Sequence, residues 1–405
     1  MRTWLAGPPV LLILVLAASP ASAQTLDQQW TYCVNDKNSY SSDQSIAGCA
    51  ALIQSGQLTP VNQAIAYYDR AHSYIDKEQY AEAMADLDAS IRLNRRDGDA
   101  FNSRGLVYFR QGNNDRAIEN YDQAIRLNSN DSLAYYNRGL VQARKGQDAR
   151  AMADYNQALT LDPQRSDTYN DRGNVYYRRK DFARAIADYD QAIRLKPNYA
   201  DAYYNRGIAH VGQLDDTSAM ADYDQAIRFN PKFADAYSNR ASVFFRKQNY
   251  TRAIADYGEA IRLNPQDPDF YRDRGFSYSR MRDYDRAIAD YGEAIRRNPK
   301  SDEIYFSRGN AYLNKPDLTL AIADYDQAIR LNPKYTDAYD NRGFAYARKG
   351  DYARAIVDYD QALRLSPQDA WSYNKRGIAK KALGRTAEGE ADIAKAKAID
   401  PHIAD

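Results

Sequence analysis

Residues 201–231 read DAYYNRGIAHVGQLDDTSAMADYDQAIRFNP, and this pattern returns every 34 residues, as from Gly173 to Gly207. A small residue marks the same point in each of ten copies: Ala71, Gly105, Gly139, Gly173, Gly207, Ala241, Gly275, Gly309, Gly343 and Gly377. A proline closes the last eight copies, from Pro163 to Pro401. Such strict periodicity is typical of a solenoid and argues against a single enzyme core.

Each copy has the spacing of two helices separated by a short breaker. Tyr169, Gly173 and Tyr176 are four and three residues apart, which places them on one stripe of a first helix, helix A. Helical spacing returns in a second helix, helix B, at Phe182, Ala185, Ile186, Tyr189 and Ile193. Asp167 and Asp181 stand at the two helix starts, where a carboxylate accepts hydrogen bonds from unpaired backbone N–H groups.

A single copy is too small to fold alone. The apolar side chains of two short helices do not offset the conformational entropy that is lost when the copy is ordered. Each helix pair therefore needs the next one stacked on it. The sequence predicts an all-α, superhelical α-solenoid with one continuous core along residues 60–401.

An alanine stands early in helix B of eight copies: Ala117, Ala151, Ala185, Ala219, Ala253, Ala287, Ala321 and Ala355. With the small marker, the helix B aromatic and the closing proline, this column resembles the tetratricopeptide repeat family over residues 60–401. The resemblance implies a right-handed superhelix of helix-turn-helix repeats with a concave wall lined by helix A. In two columns the chain departs from the family: Tyr or Phe replaces a tryptophan four residues before the marker, and arginine replaces the leucine just before it.

The arginine column is unusual because it places a charge within the apolar stripe of helix A. It comprises Arg70, Arg104, Arg138, Arg172, Arg206, Arg240, Arg274, Arg308, Arg342 and Arg376. A buried charge needs a partner. Helix B offers one at a fixed offset: Asp86, Asp154, Asp188, Asp222, Asp256, Asp290, Asp324, Asp358 and Asp392, with Asn120 as the neutral member. We predict a ladder of Arg–Asp salt bridges, within or between adjacent repeats; the alternative is an anion-binding row.

The first 23 residues differ from the repeats and have the features of a secretory signal peptide. Arg2 precedes an apolar run at residues 10–18, and residues 21–23 form an A-x-A cleavage site. The run is too short to span a bilayer. We expect cleavage near Ala23 and an exported protein, periplasmic or secreted.

Residues 24–59 lack the repeat and contain both cysteines of the chain, Cys33 and Cys49. An oxidising compartment favours their pairing as a disulfide. Ser41 and Gln44 form a capping box before a segment that reads like a truncated helix B. We predict a disulfide-stapled cap at this end, and a polar last helix B followed by a tail, residues 402–405, at the other.

Charge gives little indication of a ligand. The chain has 55 basic and 54 acidic residues, so bulk attraction to nucleic acid or to an anionic membrane is not expected. A local basic row follows the marker by five residues, at Arg110, Arg144, Arg178, Arg246, Arg280 and Arg348. Cations in the last turn of helix A complement the helix dipole. The alternative interpretation is a stripe for an acidic partner.

The resemblance also implies candidate binding residues on helix A. Family members that hold peptides use an asparagine two residues before the marker, and here this column contains Asn137, Asn205, Asn239 and Asn341. Asn310, Asn341 and Lys375 match three positions of the carboxylate clamp by which some relatives bind a peptide C-terminus. Phe306 and Trp371 stand at the other two positions, where the clamp has lysine.

No catalytic motif is evident. His72, His210 and His402 are the only histidines, too scattered for a zinc site or a proton relay, and we expect neither a metal nor a cofactor. The sequence therefore predicts a non-catalytic scaffold of the bacterial cell envelope that binds a protein or peptide in its concave groove. The alternative is an architectural subunit of an envelope or secretion assembly that contacts partners by its convex face and ends. An RNA-binding repeat array is disfavoured by the balanced charge.

Overall fold

The computed structural model describes residues 25–35 and 39–403, which form twenty-two α-helices. The predicted signal peptide lies outside these residues. Two compact units are divided between Thr168 and Tyr169, inside the helix α9, Ser166–Arg178. Over the described residues the fold is all-α, which confirms the predicted fold class, and none of the helices there has the length and apolar character needed to cross a bilayer.

The first unit contains an N-terminal hairpin and three pairs of helix A and helix B. The hairpin consists of α1, Leu26–Val34, and α2, Ser42–Gln54. The pairs are α3 Pro60–Asp76 with α4 Tyr80–Leu93, α5 Gly98–Arg110 with α6 Asn114–Leu127, and α7 Ser132–Arg144 with α8 Asp148–Leu161. From α3 onward, odd-numbered helices are helix A and even-numbered helices are helix B.

The second unit continues the same alternation after α9. Its helices are α10 Phe182–Leu195, α11 Ala200–Gly212, α12 Asp216–Phe229, α13 Ala234–Arg246, α14 Tyr250–Leu263, α15 Pro268–Arg280, α16 Tyr284–Arg297, α17 Asp302–Asn314, α18 Leu318–Leu331, α19 Thr336–Arg348, α20 Tyr352–Leu365, α21 Ala370–Ala382 and α22 Thr386–Ile399. The bounds of these helices repeat every 34 residues, because the breaker between helices recurs with the same period.

The N-terminal hairpin is closed by a disulfide between Cys33 and Cys49. Both cysteines are buried, and they share a core with Leu52 and Ala66. Because Ala66 belongs to α3, this core attaches the hairpin to the first repeat.

Helix α1 is an element that the sequence interpretation missed. Thr25 and Gln28 form a capping box at its start, of the same kind as the box of Ser41 and Gln44 at α2. The T-x-x-Q pattern was the available signal. The cap is therefore a complete two-helix hairpin, whereas the sequence predicts only a truncated helix B.

One of the two aspartates expected at helix starts is an N-cap. The Asp181 carboxylate accepts a hydrogen bond from the backbone N–H of Arg184 at 3.2 Å. Asp167 lies inside the first turn of α9, so its assignment as a cap is wrong; its charge there complements the helix dipole. Between helices A and B, Lys180 adopts a left-handed conformation with φ of 59°, which reverses the chain.

In seven repeats the marker glycine lies closely against a buried tyrosine of helix B. A Cβ added to Gly173 would lie 2.6 Å from Cε1 of Tyr189, well inside van der Waals contact. The same contact recurs at Gly105, Gly139, Gly207, Gly275, Gly309 and Gly343. Where Ala71 replaces the glycine, the core contains Leu87 in place of tyrosine, whereas Ala241 packs directly with a tyrosine. In these seven repeats helices A and B therefore approach each other closely around one tyrosine ring.

The A helices form one continuous face within each unit. Helices α3, α5 and α7 are in contact in order, and so are α13, α15, α17, α19 and α21. Among the helices described, no two successive B helices pack in this way. The side chains that A helices present on this face are therefore neighbours across repeats.

We expect Gly173→Ala to destabilise the protein by about 1–3 kcal/mol, because the added methyl group overpacks the contact with Tyr189. The ring cannot move aside freely, since Tyr189 Oη donates a hydrogen bond to Asn174 Oδ1 at 2.8 Å. Unfolding in urea, followed by circular dichroism, measures the effect.

Gly258→Ala on α14 is the matched control. The atom nearest to its added Cβ is Arg274 Nη1, at 3.8 Å. Replacing an uncrowded helical glycine stabilises by about 0.5–1 kcal/mol. Equal changes in the free energy of unfolding for the two variants would contradict the packing role of the marker.

Candidate functional site

Nine arginines of the predicted column bind the helix B aspartate of their own repeat. Arg138 Nη2 donates to Asp154 Oδ1 at 2.7 Å and Nε donates to Oδ2 at 2.8 Å. The same two-bond contact joins Arg70–Asp86, Arg172–Asp188, Arg206–Asp222, Arg240–Asp256, Arg274–Asp290, Arg308–Asp324, Arg342–Asp358 and Arg376–Asp392. In the remaining repeat, the second along the chain, Arg104 donates to Asn120 at 2.8 Å. The planar guanidinium matches a carboxylate in this geometry.

The third guanidinium nitrogen contacts the preceding repeat. Arg138 Nη1 donates to Asp122 Oδ1 of the preceding helix B at 2.5 Å. The acceptors form a second acidic column: Asp88, Asp122, Asp190, Asp224, Asp326 and Asp360. Gly258 and Gly292 take its place in two repeats. Sequence reasoning missed this column, although the second aspartate of D-Y-D-Q recurs in helix B.

The guanidinium is also covered by the aromatic ring three residues before it. The Cζ atom of Arg104 lies 5.2 Å from the centroid of Phe101. Tyrosine rings take this place at Tyr67, Tyr135, Tyr169, Tyr203, Tyr237, Tyr271, Tyr305, Tyr339 and Tyr373. A cation over a ring is attracted by the ring quadrupole. The two departures from the family pattern, the aromatic and the arginine, therefore belong to one physical unit.

The geometry favours a structural role for the arginines over an anion-binding row. Hydrogen bonds to Asp154 and to Asp122 hold the pKa of Arg138 above its ordinary value, so the guanidinium stays charged and is neutralised within the fold. Its side chain is only 20% exposed. An anionic ligand would have to displace a bidentate carboxylate.

The asparagines predicted to bind peptide use their amide groups to contact the preceding helix A. Asn205 Nδ2 donates to Asn170 Oδ1 at 3.0 Å. Asn239 Nδ2 donates to Tyr204 Oη at 3.0 Å. Equivalent bonds run from Asn137 to Asn102 and from Asn341 to Asn310. This column is thus part of the A-helix face, and its role in ligand binding stays a prediction.

Members of the basic row also contact the preceding repeat. Arg246 forms a salt bridge with Asp216. Arg348 Nη1 donates to the backbone carbonyl of Leu313 at 3.1 Å. Both arginines lie in the last turn of helix A, where they complement the dipole as well.

A cavity of about 350 Å³ lies where the carboxylate clamp was predicted, between α17, α19 and α21. Its lining consists of Phe306, Asp337, Asp340, Asn341, Asp369 and Trp371. Three carboxylates and no basic side chain make this lining negative. It therefore opposes the binding of a peptide carboxylate, which the clamp would require.

The remaining clamp residues have other contacts. Asn310 Oδ1 accepts hydrogen bonds from Tyr325 Oη at 2.7 Å and from Asn341 Nδ2 at 2.8 Å. Lys375 Nζ lies 6.0 Å from the centroid of Trp371, beside the acidic cavity. The structure thus brings Asn310 and Asn341 together, with Asn341 lining the acidic cavity, whereas Lys375 lies beside the ring of Trp371.

Asp340 is the most buried carboxylate of this cavity, with 7% of its surface exposed. The hydroxyl of Ser372 lies 2.5 Å from Asp340 Oδ1 and 2.5 Å from Asp369 Oδ2. The hydroxyl of Ser372 therefore lies between the two carboxylates. Burial, reinforced by the nearby charge of Asp369, raises the pKa of Asp340 to about 7.

A second cavity, of about 220 Å³, adjoins the first. It lies between α15 and α17 and is lined in part by Phe276, Arg280, Phe306, Ser307, Asn310 and Asn314. Phe306 lines both cavities, so they lie side by side along the A helices from α15 to α21, and we refer to the two together as the groove.

The histidines are involved in packing. His72 Nε2 lies 3.0 Å from Ser103 Oγ, and burial lowers its pKa. His210 Nε2 lies 3.7 Å from Asp222 Oδ2. Among the described residues no group of three or more His, Cys, Asp or Glu side chains is arranged to hold a metal ion.

These features define a helical-repeat scaffold, and comparison with known families gives its class. A model described as TPR repeat matches residues 105–146, 144–179, 173–213, 215–248, 241–281 and 345–384. Models described as tetratricopeptide repeat match residues 64–97, 272–336 and 324–357. The chain belongs to the tetratricopeptide repeat family, as the sequence predicts, and this is a family of protein-interaction scaffolds.

Solved structures of other repeat proteins are similar to this chain. The crystal structure of YrrB, described as a TPR protein with an unusual peptide-binding site, is 23% identical and covers 48% of this chain and 97% of its own, with a TM-score of 0.43. A tetratricopeptide repeat protein from Parabacteroides merdae is 20% identical over 61% of this chain and 98% of its own, with a TM-score of 0.46. PilF of Pseudomonas aeruginosa is 20% identical over 51% of this chain and 94% of its own, with a TM-score of 0.47. A search of curated proteins found no match.

We expect Gly258→Asp to stabilise the protein by adding the missing carboxylate of the second acidic column. The equivalent Asp224 accepts a hydrogen bond from Arg240 at 2.6 Å. Because these partners are partly exposed, the added ion pair should contribute about 0.5–1 kcal/mol. Gly258→Asn, of similar helix propensity but without charge, is the control. If both variants unfold at the same urea concentration, the second column does not stabilise the stack.

Proposed function

We propose that the protein is a non-catalytic scaffold that binds an extended segment of another protein along the A-helix face of the second unit. The observation that supports this proposal is the groove formed by the two cavities that share Phe306. Its walls come from four successive A helices, and Arg342 and Arg376 bond α19 and α21 to the preceding helix B. A preformed groove of this kind reduces the entropic cost of binding.

The groove combines exposed aromatic surface with amide groups. Phe276 is 48% exposed and packs against Phe245, with the ring centroids 5.4 Å apart. Asn310, Asn314 and Asn341 line the same groove. Aromatic rings supply contact area, and side-chain amides can bond to an extended backbone. This combination suits a peptide ligand.

The second candidate function is an architectural one, in which the B helices contact partners. Val357 on α20 is 62% exposed, and Leu320 on α18 is 44% exposed. Apolar side chains on this outer surface are the observation that favours it.

Site-specific photo-crosslinking distinguishes the two candidates. We expect p-benzoylphenylalanine in place of Phe276 to crosslink a discrete protein in cell extracts, whereas the same residue in place of Val357 should not. Both positions are exposed, so the amino acid itself should be equally reactive at each. Crosslinks at position 357 alone would support the architectural role and reject the groove.

We also propose that the protein is exported. The support is the A-x-A motif that ends at Ala23, together with the Cys33–Cys49 disulfide, since disulfides persist in oxidising compartments.

In a bacterial host that expresses the full sequence, we expect the mass of the purified chain to correspond to a start at Gln24. Neither cysteine should react with a maleimide until the chain is reduced. A chain that retains residues 1–23 and has two reactive thiols would contradict export.

A further inference from the structure

We propose that the acidic cavity between α17, α19 and α21 binds the basic side chain, arginine or lysine, of the segment that occupies the groove. The inference rests on the proposed function and adds the chemical class of the residue that is recognised. It follows from the charge, the burial and the missing partners of the residues around Asp340.

Asp340 is an exception among the buried aspartates of the described chain. The others each accept hydrogen bonds from an arginine of the ladder: Asp86, Asp154, Asp188, Asp222, Asp256, Asp290, Asp324, Asp358 and Asp392. Asp340 is equally buried, yet its donor is the hydroxyl of Ser372. A buried carboxylate without a cation is costly. The cavity beside it is the place from which a cation can approach.

The groups that face this cavity add negative charge. Asp337 on α19 and Asp369 before α21 line it together with Asp340. Burial, then Asp337, Glu303 and Asp302, raise the pKa of the adjacent Tyr335 to about 12. The basic group beside the cavity is Lys375 on α21, over the Trp371 ring. One ammonium group does not balance these carboxylates.

A buried hydroxyl next to Asp340 also lacks a partner. Tyr359 of α20 is fully buried, and its Oη has no hydrogen-bond partner. Burial raises the pKa of Tyr359, and the charges of Asp340 and Asp358 raise it further. In another repeat, the equivalent Tyr325 donates to Asn310, one residue after the marker; here Phe344 stands in that position.

Aromatic walls complete the site. Phe306 lines the cavity from α17 and Trp371 lines it from α21, where its ring lies 5.9 Å from that of Tyr359. Aromatic faces attract guanidinium and ammonium groups, most strongly where water is excluded. A basic side chain that enters between them would meet Asp337 at the rim and Asp340 at the base.

Binding of a cation should release a proton. Without ligand, burial and the nearby charge of Asp369 disfavour the ionised form of Asp340 and raise its pKa to about 7. A bound cation offsets that penalty, so the proton of Asp340 passes to solvent. Affinity should therefore be higher above neutral pH, where this proton is already weakly held, and lower in acid.

The test uses the full chain labelled with ¹⁵N at tryptophan. The probes are N-acetyl-arginine amide, N-acetyl-lysine amide and N-acetyl-citrulline amide; citrulline has nearly the shape of arginine without its charge. The indole signal of Trp371, assigned with Trp371→Phe, reports binding. We expect arginine or lysine to bind at least about tenfold more tightly than citrulline, and more tightly at pH 8 than at pH 5.5.

Two variants and one control identify the site. Asp340→Asn should reduce arginine affinity about tenfold, and Asp337→Asn on the rim keeps the test valid if the first variant perturbs folding. Asp235→Asn is the control, because Asp235 on α13 occupies the same helix A position as Asp337. This variant should have no effect on the affinity for arginine. Failure of both cationic probes to exceed citrulline, or equal affinity of the Asp337→Asn and Asp235→Asn proteins, would overturn the proposal. These probes do not need the protein partner, so their failure is distinguishable from loss of crosslinking at position 276.

Discussion

The arginine at the centre of helix A is the constraint on which the stack depends. A charge in an apolar stripe is tolerated only where its partners are held in place. Arg138 satisfies this with Asp154 in its own repeat, Asp122 in the preceding one, and the ring of Tyr135 over its plane at 5.5 Å. These contacts are directional, whereas hydrophobic contact is not. They therefore fix the distance and register between successive helix pairs more tightly than the apolar core can by itself.

That constraint also decides where function can lie. In helix B, the tyrosine packs against the marker glycine and the aspartates bind the arginines of the ladder. In helix A, the arginine and the aromatic ring that covers it belong to the same ladder. The positions that remain on the A-helix face are free to vary between repeats. Phe276, Asn310 and Phe344 occupy one such position in three consecutive repeats. A regular framework thus presents an irregular surface, which is the property that recognition of a particular partner requires.

The sequence was sufficient for the helix pairs and for the Arg–Asp contacts within repeats, because both follow from helical spacing within one copy. It was not sufficient for Asp122 and its column, since an aspartate on the exposed side of helix B is ordinary until stacking brings an arginine to it. The acidic cavity was not predicted from the sequence, for another reason. Asp340 is the one acidic residue at its repeat position, whereas Asp369 belongs to the helix A N-cap column with Asp97, Asp131 and Asp267, so no sequence pattern paired the two. Position alone matches Asn310, Asn341 and Lys375 to clamp residues, but the two missing lysines and the acidic lining both disfavour a carboxylate ligand.

The cost of Asp340 is the strongest reason to connect this site with function. Ser238, Phe306 and Asn374 occupy the equivalent position in other repeats, so an uncharged side chain is compatible with the packing. An aspartate there must hold a proton or remain a buried charge, and either state makes folding less favourable than a neutral residue would. The ladder shows that this chain otherwise supplies an arginine wherever it buries a carboxylate. A local departure of this kind, beside a cavity with aromatic walls, is expected where a ligand provides the missing cation.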